Sequence, residues 1–509
     1  MERSLANPAV PGDHGDRVSA AWVILPIAFF AAILLFYPFR YIFEFDTDEG
    51  INAIKALLSL RGFGLYTQVW SDQPPLFTFL LALWFRLFGL RVVAGRLLVL
   101  LFSVGVVALG VHYLRRSWGA AAAVAGVVFL FLLPLYRQLS VSMMIGLPSI
   151  ALALLSFWAQ AMWHDRRRAG WLFLSGTALA LSVLTKMFTL ILAPIWMAGI
   201  LWVTWGDLRR SPFRFRSWLP ALAWATPFAV ILALVVWLVI RPENLGQLFD
   251  VHLAAEQTQA FQPSALLPSI NFYLMESLPL LILAALGAFR AIQEKRWSAL
   301  YLAAWAVAGY VFLLANHPTW PHHQLLVTVP AAILAAAGVG AAFADVSARS
   351  RSSLPRSNWA IGLASLAVAV AVLVLRVPPV MRELDASLPN LSGRPSPAVV
   401  VRESQEREIV ALMSDHAAET RWVFTDRPMF AFASGLSVPP ELAVLSSKRL
   451  VTGQLTETEI LQALETYKPE LILAARFDLP VVQEYMRTRN YRRLDSTLRY
   501  RLYFRPGSP

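Results

Sequence analysis

Three carboxylates fall within the five residues "DTDEG": Asp46, Asp48 and Glu49. A hydroxyl is a weak nucleophile until a carboxylate within hydrogen-bond reach takes its proton, so the cluster has the residue types of a general base with a supporting neighbour. The same residues suit a plainer task. Asp and Thr cap helix N-termini, and acidic side chains favour the positive end of the helix dipole. Further on, Asp72 and Gln73 stand in "SDQPPL". The two prolines fix an extended turn, so a helix is expected from about Leu76. Asp72 and Gln73 then either cap that helix or face a substrate.

Other polar residues sit in apolar surroundings. Lys186 lies in "LSVLTKMFTLIL" and Arg96 in "AGRLLVLLFSV". Charge within a membrane segment is costly and often functional. Near a helix end, however, lysine snorkels and arginine anchors at the interface. "NHPTWPHHQLL" holds His317, His322, His323 and Trp320. Adjacent histidines rarely aim at one centre and the segment has no Asp or Glu, so no metal is assigned there. Hydrogen bonding to a phosphate or sugar is the expected use. Trp320 would stack on a sugar or anchor in the interface. The chain has no cysteine, which excludes disulfides, thiolate catalysis and cysteine-held metals.

The elements that must position these residues are hydrophobic. Of 509 residues, 57% are hydrophobic and 15% charged, whereas soluble domains carry about a quarter charged residues. Apolar runs long enough to span, roughly 20 residues each, recur from Trp22 to about Leu375. The fold class is a polytopic α-helical membrane protein with a small α/β domain at its C-terminus. The net charge is +12, but the basic residues sit in short loops between apolar runs. That pattern sets membrane orientation and gives no reason to expect nucleic acid.

The basic loops are "YLRRSWG", "HDRRRAG", "DLRRSPFRFRSW", "IQEKRW" and "SARSRSSLPRS", each expected to face the cytoplasm. Between them the spans fall near 21–39, 92–114, 119–138, 143–163, 170–186, 187–205, 219–240, 271–290, 297–315, 322–343 and 359–377. That is about eleven by the length rule. The first is longer than a signal-peptide core, with no clear cleavage site after it, and reads as a retained span. An odd number of spans puts the N-terminus in the cytoplasm and the C-terminus outside. Residues 40–91 form the first outer loop, with 76–91 as an interfacial or re-entrant helix. Within this loop Ile51, Ile54, Leu57 and Leu58 recur at helical spacing until Gly62 and Gly64. This predicts an amphipathic helix lying on the membrane with its acidic end first. Residues 1–389 are read as the membrane domain and 390–509 as an extracytoplasmic domain. In the latter, "RWVFTD" and "PELILAA" are expected strands, and "TETEILQALETY" and "LPVVQEYMRTR" expected helices.

The order of a span, "DEG", "DQPPL", an apolar helix ending "LFG", then "AGRLLVLLFSV" resembles the GT-C glycosyltransferases of the protein O-mannosyltransferase and lipid A aminoarabinose transferase type. Asp72-Gln73 replaces the family's Glu-Lys before the prolines, and Gly146 stands where the family commonly has an Asp. The resemblance implies transfer of a sugar from a polyprenyl-phosphate carrier to a hydroxyl acceptor on the outer face of the cell membrane, with inversion. It implies Asp48 as general base, with Glu49 supporting it or contacting the acceptor. Asp46, Asp72, Gln73, Arg96, Lys186, His317, Trp320, His322 and His323 are then candidate substrate contacts, with Lys186 and Arg96 on the phosphate in place of the family's lysine. The implied partners are the lipid-linked sugar donor, a lipid, glycan or protein acceptor, and the bilayer. No cofactor is assigned, and a divalent metal stays open.

Two other classes compete. A transporter or lipid flippase places its polar sites at mid-membrane and shows internal repeats, whereas here the polar residues gather at one face. A non-catalytic anchoring protein explains the C-terminal domain but not the paired acidic motifs.

Overall fold

The computed structural model describes residues 20–211, 214–257, 271–272, 274–315, 319–348, 356–387, 397–494 and 500–505. Its membrane part is built from α1 (Ile24–Phe36), α2 (Thr47–Leu60), α3 (Leu76–Phe88), α4 (Val92–Trp118), α5 (Ala120–Leu132), α6 (Gly146–Arg166), α7 (Ala169–Thr185) and α8 (Leu192–Arg210). Then follow α9 (Phe215–Val235), α10 (Gly246–Gln257), α11 (Leu278–Gln293), α12 (Trp297–Ala315), α13 (Leu325–Ala348) and α14 (Arg356–Ser387). Each expected span coincides with an apolar helix. Among the described residues, seven helices are long and apolar enough to cross a membrane. Shorter apolar helices, α1, α5, α7 and α11, account for the other expected spans, and α3 is the apolar helix of the first loop.

The sequence shows why α13 is central. Alanine, valine and leucine cover it on all sides, and residues 324–342 are buried throughout. A helix apolar all round belongs inside a bundle. Gly287 on α11 faces Gly338 and the Leu334 carbonyl on α13 so closely that a side chain there would strike backbone. Small residues of this kind let membrane helices approach.

Beyond α14, helix α15 (Pro397–Asp415) leads into a four-stranded sheet. Its strands are β1 (Val423–Thr425), β2 (Leu471–Ala474), β3 (Arg492–Arg493) and β4 (Arg501–Phe504), in the order β1-β2-β4-β3. The β1–β2 pair is parallel and the other pairs antiparallel. Short helices α16 (Pro428–Ala433), α17 (Ser447–Val451), α18 (Glu457–Tyr467) and α19 (Pro480–Thr488) connect and cover it. The strands and helices expected in this region are present, and β3 and β4 add to them.

One expectation for the first loop fails. Helix α2 does not lie on a membrane surface with a wet face, because residues 49–58 are all buried, Asn52 and Lys55 included. The C-terminal region covers the side that was expected to be wet. Gly50 makes this possible: a Cβ there would sit 2.5 Å from the Met429 backbone nitrogen of α16. Ion pairing and hydrogen bonds reinforce the contact. Arg427 donates to Glu44 at 2.6 and 3.0 Å, Arg61 to the Gly435 carbonyl at 2.7 Å, and the Phe43 amide to Glu403 at 2.8 Å. One hydrophobic core runs from Ile54 and Phe85 into Met429, Phe430 and Phe432.

Candidate active site

The three carboxylates of "DTDEG" have three different surroundings. Asp46 is the N-cap of α2: its backbone is extended and its carboxylate accepts the Asp48 amide at 3.0 Å. Glu49 is fully buried at 0% exposure. Its oxygens accept Arg96 Nη2 at 2.8 Å, Arg96 Nε at 3.1 Å, the Met143 amide at 2.9 Å and the Phe45 amide at 2.8 Å. Asp48 alone is exposed, and its carboxylate makes no hydrogen bond among the described residues. Its surface is open on one side, but protein walls on the others keep water from solvating it fully. That burial, followed by repulsion from Asp46 and Asp72, raises its pKa to about 6, while Lys186 and Lys448 pull it down. A carboxylate that is accessible, unpaired and basic for its type is what proton abstraction near neutral pH needs.

Arg96 corrects an expectation. It is 1% exposed and its donors are taken up inside the protein. Besides Glu49 they reach the carbonyls of Phe39, Ile42 and Phe43 at 2.5, 2.6 and 3.1 Å. No donor is left to hold a phosphate. Glu49 likewise has no oxygen free for an acceptor. The pair locks the loop 39–45 and the Met143 turn against α2, which sets the position of Asp48. Arg96→Met is expected to strand a buried carboxylate and to destabilise the protein by about 3–5 kcal/mol. Thermal unfolding in detergent measures this, and an unchanged unfolding temperature would contradict the bracing role.

Lys186 ends α7 and stands at the turn into Met187–Ile191. Its ammonium lies 5.0 Å over the Phe188 ring, and the same ring is 6.4 Å from that of His323. Among the charges that act on Lys186, Asp48 is the strongest of opposite sign. His322 and His323 contact each other edge-on at 4.5 Å, and His323 Nδ1 accepts the Trp320 amide at 3.3 Å. Trp320 is 41% exposed. His317 lies outside the described residues. Thus the turn at Lys186 and the turn at His323 meet at the end of the bundle that carries Asp48.

Asp72 does not cap α3, whose N-cap is Pro75. Its carboxylate instead takes Lys448 Nζ at 2.8 Å, with His252 Nε2 at 3.8 Å. Burial would raise Asp72, but the Lys448 ammonium and then His252 overcome it and hold the carboxyl well below the usual range. His252 is pushed down to about 4, by burial and then by Lys448, and is neutral. Gln247 of α10 grips the same loop, donating to the Tyr66 carbonyl at 2.7 Å and accepting the Ser71 amide at 3.1 Å. Beneath it, buried Lys55 donates to Ser71 Oγ at 3.3 Å. The backbone carbonyl of Gln73 accepts from Tyr66 and Ser71, while its half-buried side chain makes no hydrogen bond among the described residues.

Lys448, His252 and Lys55 are absent from the sequence-based candidates. Lys55 sat on the face read as wet, and Lys448 lies in "SSKRL", which carries no motif. Among the described residues no three His, Asp or Glu side chains converge as metal ligands.

Residues 72–238 match the family model described as dolichyl-phosphate-mannose-protein mannosyltransferase. No curated protein matches the chain significantly. Among solved structures, the fold is similar to ArnT from Cupriavidus metallidurans bound to undecaprenyl phosphate. The TM-score is 0.62 and the identity 16%, over 96% of this chain and 98% of that one. The apo state of the same protein gives 0.61 and 16%, over 95% and 98%. The apo form of the oligosaccharyltransferase from Archaeoglobus fulgidus gives 0.52 and 13%, over 91% and 70%. The chain has the GT-C fold.

Proposed function

We propose that this membrane protein of the GT-C fold is a glycosyltransferase that uses a polyprenyl-phosphate-linked sugar. The observation that carries the reading is Asp48: an accessible carboxylate free of capping and pairing, faced by lysines at one end of the bundle. In this reading the acceptor hydroxyl gives its proton to Asp48 as its oxygen bonds to the anomeric carbon. The carbon–oxygen bond to phosphate breaks on the opposite face, so the configuration inverts. The electron pair leaves with the polyprenyl phosphate, whose growing charge is met by Lys186. Glu49 acts through Arg96 and the loop it braces, as a positioning residue. Asp46 caps α2, and His322, His323 and Trp320 line the same end as candidate sugar or phosphate contacts. The reading routes no step through a metal.

Clustering at one face favours transfer over transport, since transporters keep their polar sites at mid-membrane. The direct test is sugar transfer from radiolabelled polyprenyl-phosphate donors to lipid extracts or envelope glycans. No transfer from a panel of such donors, with the protein folded, would overturn the reading. Mass spectrometry of lipids from a deletion strain would identify the sugar and the acceptor class.

The basic helix ends, Arg115 and Arg116 on α4 and Arg209 and Arg210 on α8, lie opposite the Asp48 end. We therefore orient the protein with its N-terminus in the cytoplasm and the site and C-terminal region outside. A reporter active only outside the cytoplasm is expected to work when fused after Pro509 and to fail when fused near Arg351. The reverse pattern would invert this orientation.

A further inference from the structure

The C-terminal region does more than cover α2. Its helix α17 carries Lys448 to the first loop, 2.8 Å from Asp72 and 3.3 Å from His252 Nδ1. The side chains of Lys448 and Asp72 are only 15% and 13% exposed. The helix is seated firmly. Ser446 caps it, and its neighbour Arg449 is buried, donating to the carbonyls of Glu441 and Val444 at 2.7 and 3.3 Å. The Arg449 guanidinium also stacks 4.4 Å over Trp70 of the first loop. Lys448 thus stands on a fixed support beside Asp72-Gln73, where the loop itself offers a carboxylate and a neutral amide. It is close enough to act on both Asp48 and Lys186. Two ammonium groups from distant parts of the chain therefore act on the base.

We propose that Lys448 is a phosphate-binding cation of the donor site, so that the C-terminal region completes the site and Asp72 competes with the phosphate for the same ammonium. This rests on the glycosyltransferase reading above. The ligand class is a polyprenyl phosphate. Its contact with Lys448 strengthens as the leaving phosphate gains charge. Lys186 approaches from the membrane helices and Lys448 from the outside, and His252, being neutral, adds hydrogen bonding without charge.

The test is binding of undecaprenyl phosphate to the full-length protein in nanodiscs, followed by native mass spectrometry or a radiolabel. Lys448→Met is expected to weaken binding by about tenfold to a hundredfold, the usual loss of a hydrogen bond to a charged group. Lys448→Arg is expected to retain most of it. Asp72→Asn removes the competitor, so it is expected to bind as tightly as the parent or more so. The double variant is expected to be as weak as Lys448→Met. The opposite behaviour of the two single variants is what separates a ligand contact from a structural brace. If Asp72→Asn and Lys448→Met weaken binding equally, or if Lys448→Met binds like the parent, the proposal is overturned while the glycosyltransferase reading stands. If the parent itself does not bind undecaprenyl phosphate, that reading fails and this proposal fails with it.

Discussion

Asp48→Asn is expected to lower turnover by about two to four orders of magnitude, the usual contribution of a general base, while the folded protein keeps or gains stability. The second half of that result distinguishes the base from a cap. Asp46, not Asp48, accepts the helix amide, so removing the Asp48 charge leaves the α2 cap intact and gives up only a small helix-dipole interaction. Burial and repulsion raise the Asp48 pKa to about 6 from an ordinary 3.8. The native state therefore holds a proton that the unfolded chain has already released between those values. Stability accordingly falls as pH rises through that window, and above about 6 the ionised carboxylate is a net cost. Neutral Asn lacks that cost. Thermal unfolding at neutral pH measures it, and a marked loss of stability in Asp48→Asn would return the residue to a structural role.

The same ionisation governs rate with the opposite sign. A base must be deprotonated, so transfer is expected to rise from pH 5 to 7 with a limb near 6. The groups that set the limb are Asp46 and Asp72, which push it up, and Lys186 and Lys448, which pull it down.

The bundle was legible because the bilayer imposes a length and a composition on anything that crosses it. Each expected span met an apolar helix, although α1, α5, α7 and α11 are shorter than the expected length. The helix start that carries Asp48 was legible because the motif is local. What it looks like in sequence, a helix start with acids, is also what it is; the structure adds that Asp46 takes the cap and leaves Asp48 free. The supporting role was one of two open for Glu49, and its pairing with Arg96 was hidden because the partners are remote. Arg96 is 47 residues from Glu49, and the Met143 amide is 94 residues away. An arginine opening a span looks the same in sequence whether it faces a phosphate or a buried carboxylate. Helix α2 was misread for a related reason. Asn52 and Lys55 mark a polar face, and nothing local says that Met429 and its neighbours will cover it. Lys448 left no signal at all, because only the packing of the C-terminal region on the first loop brings it to Asp72.

Lys186→Met is the variant that tests the membrane side of the phosphate site. Methionine keeps the length and much of the apolar stem while removing the charge. Two effects are expected together. Transfer falls by about two orders of magnitude or more, because the lost ammonium opposed charge that grows on the leaving phosphate. The acid limb of the pH–rate profile also moves to higher pH, because Lys186 is the first of the cations that lower the Asp48 pKa. The sign follows from the charges: without the ammonium, ionised Asp48 is less stable and holds its proton longer. A phosphate contact alone would slow transfer with the limb fixed. A pairing role alone would move the limb while the rate on its plateau stayed that of the parent. The position of Lys186, at the turn between α7 and Met187–Ile191 with Asp48 as its strongest opposing charge, calls for both. A variant with parental rate and parental profile would mean that Lys186 only snorkels at the end of α7, and the phosphate would then rest on Lys448 and the histidines at the Pro321–Gln324 turn.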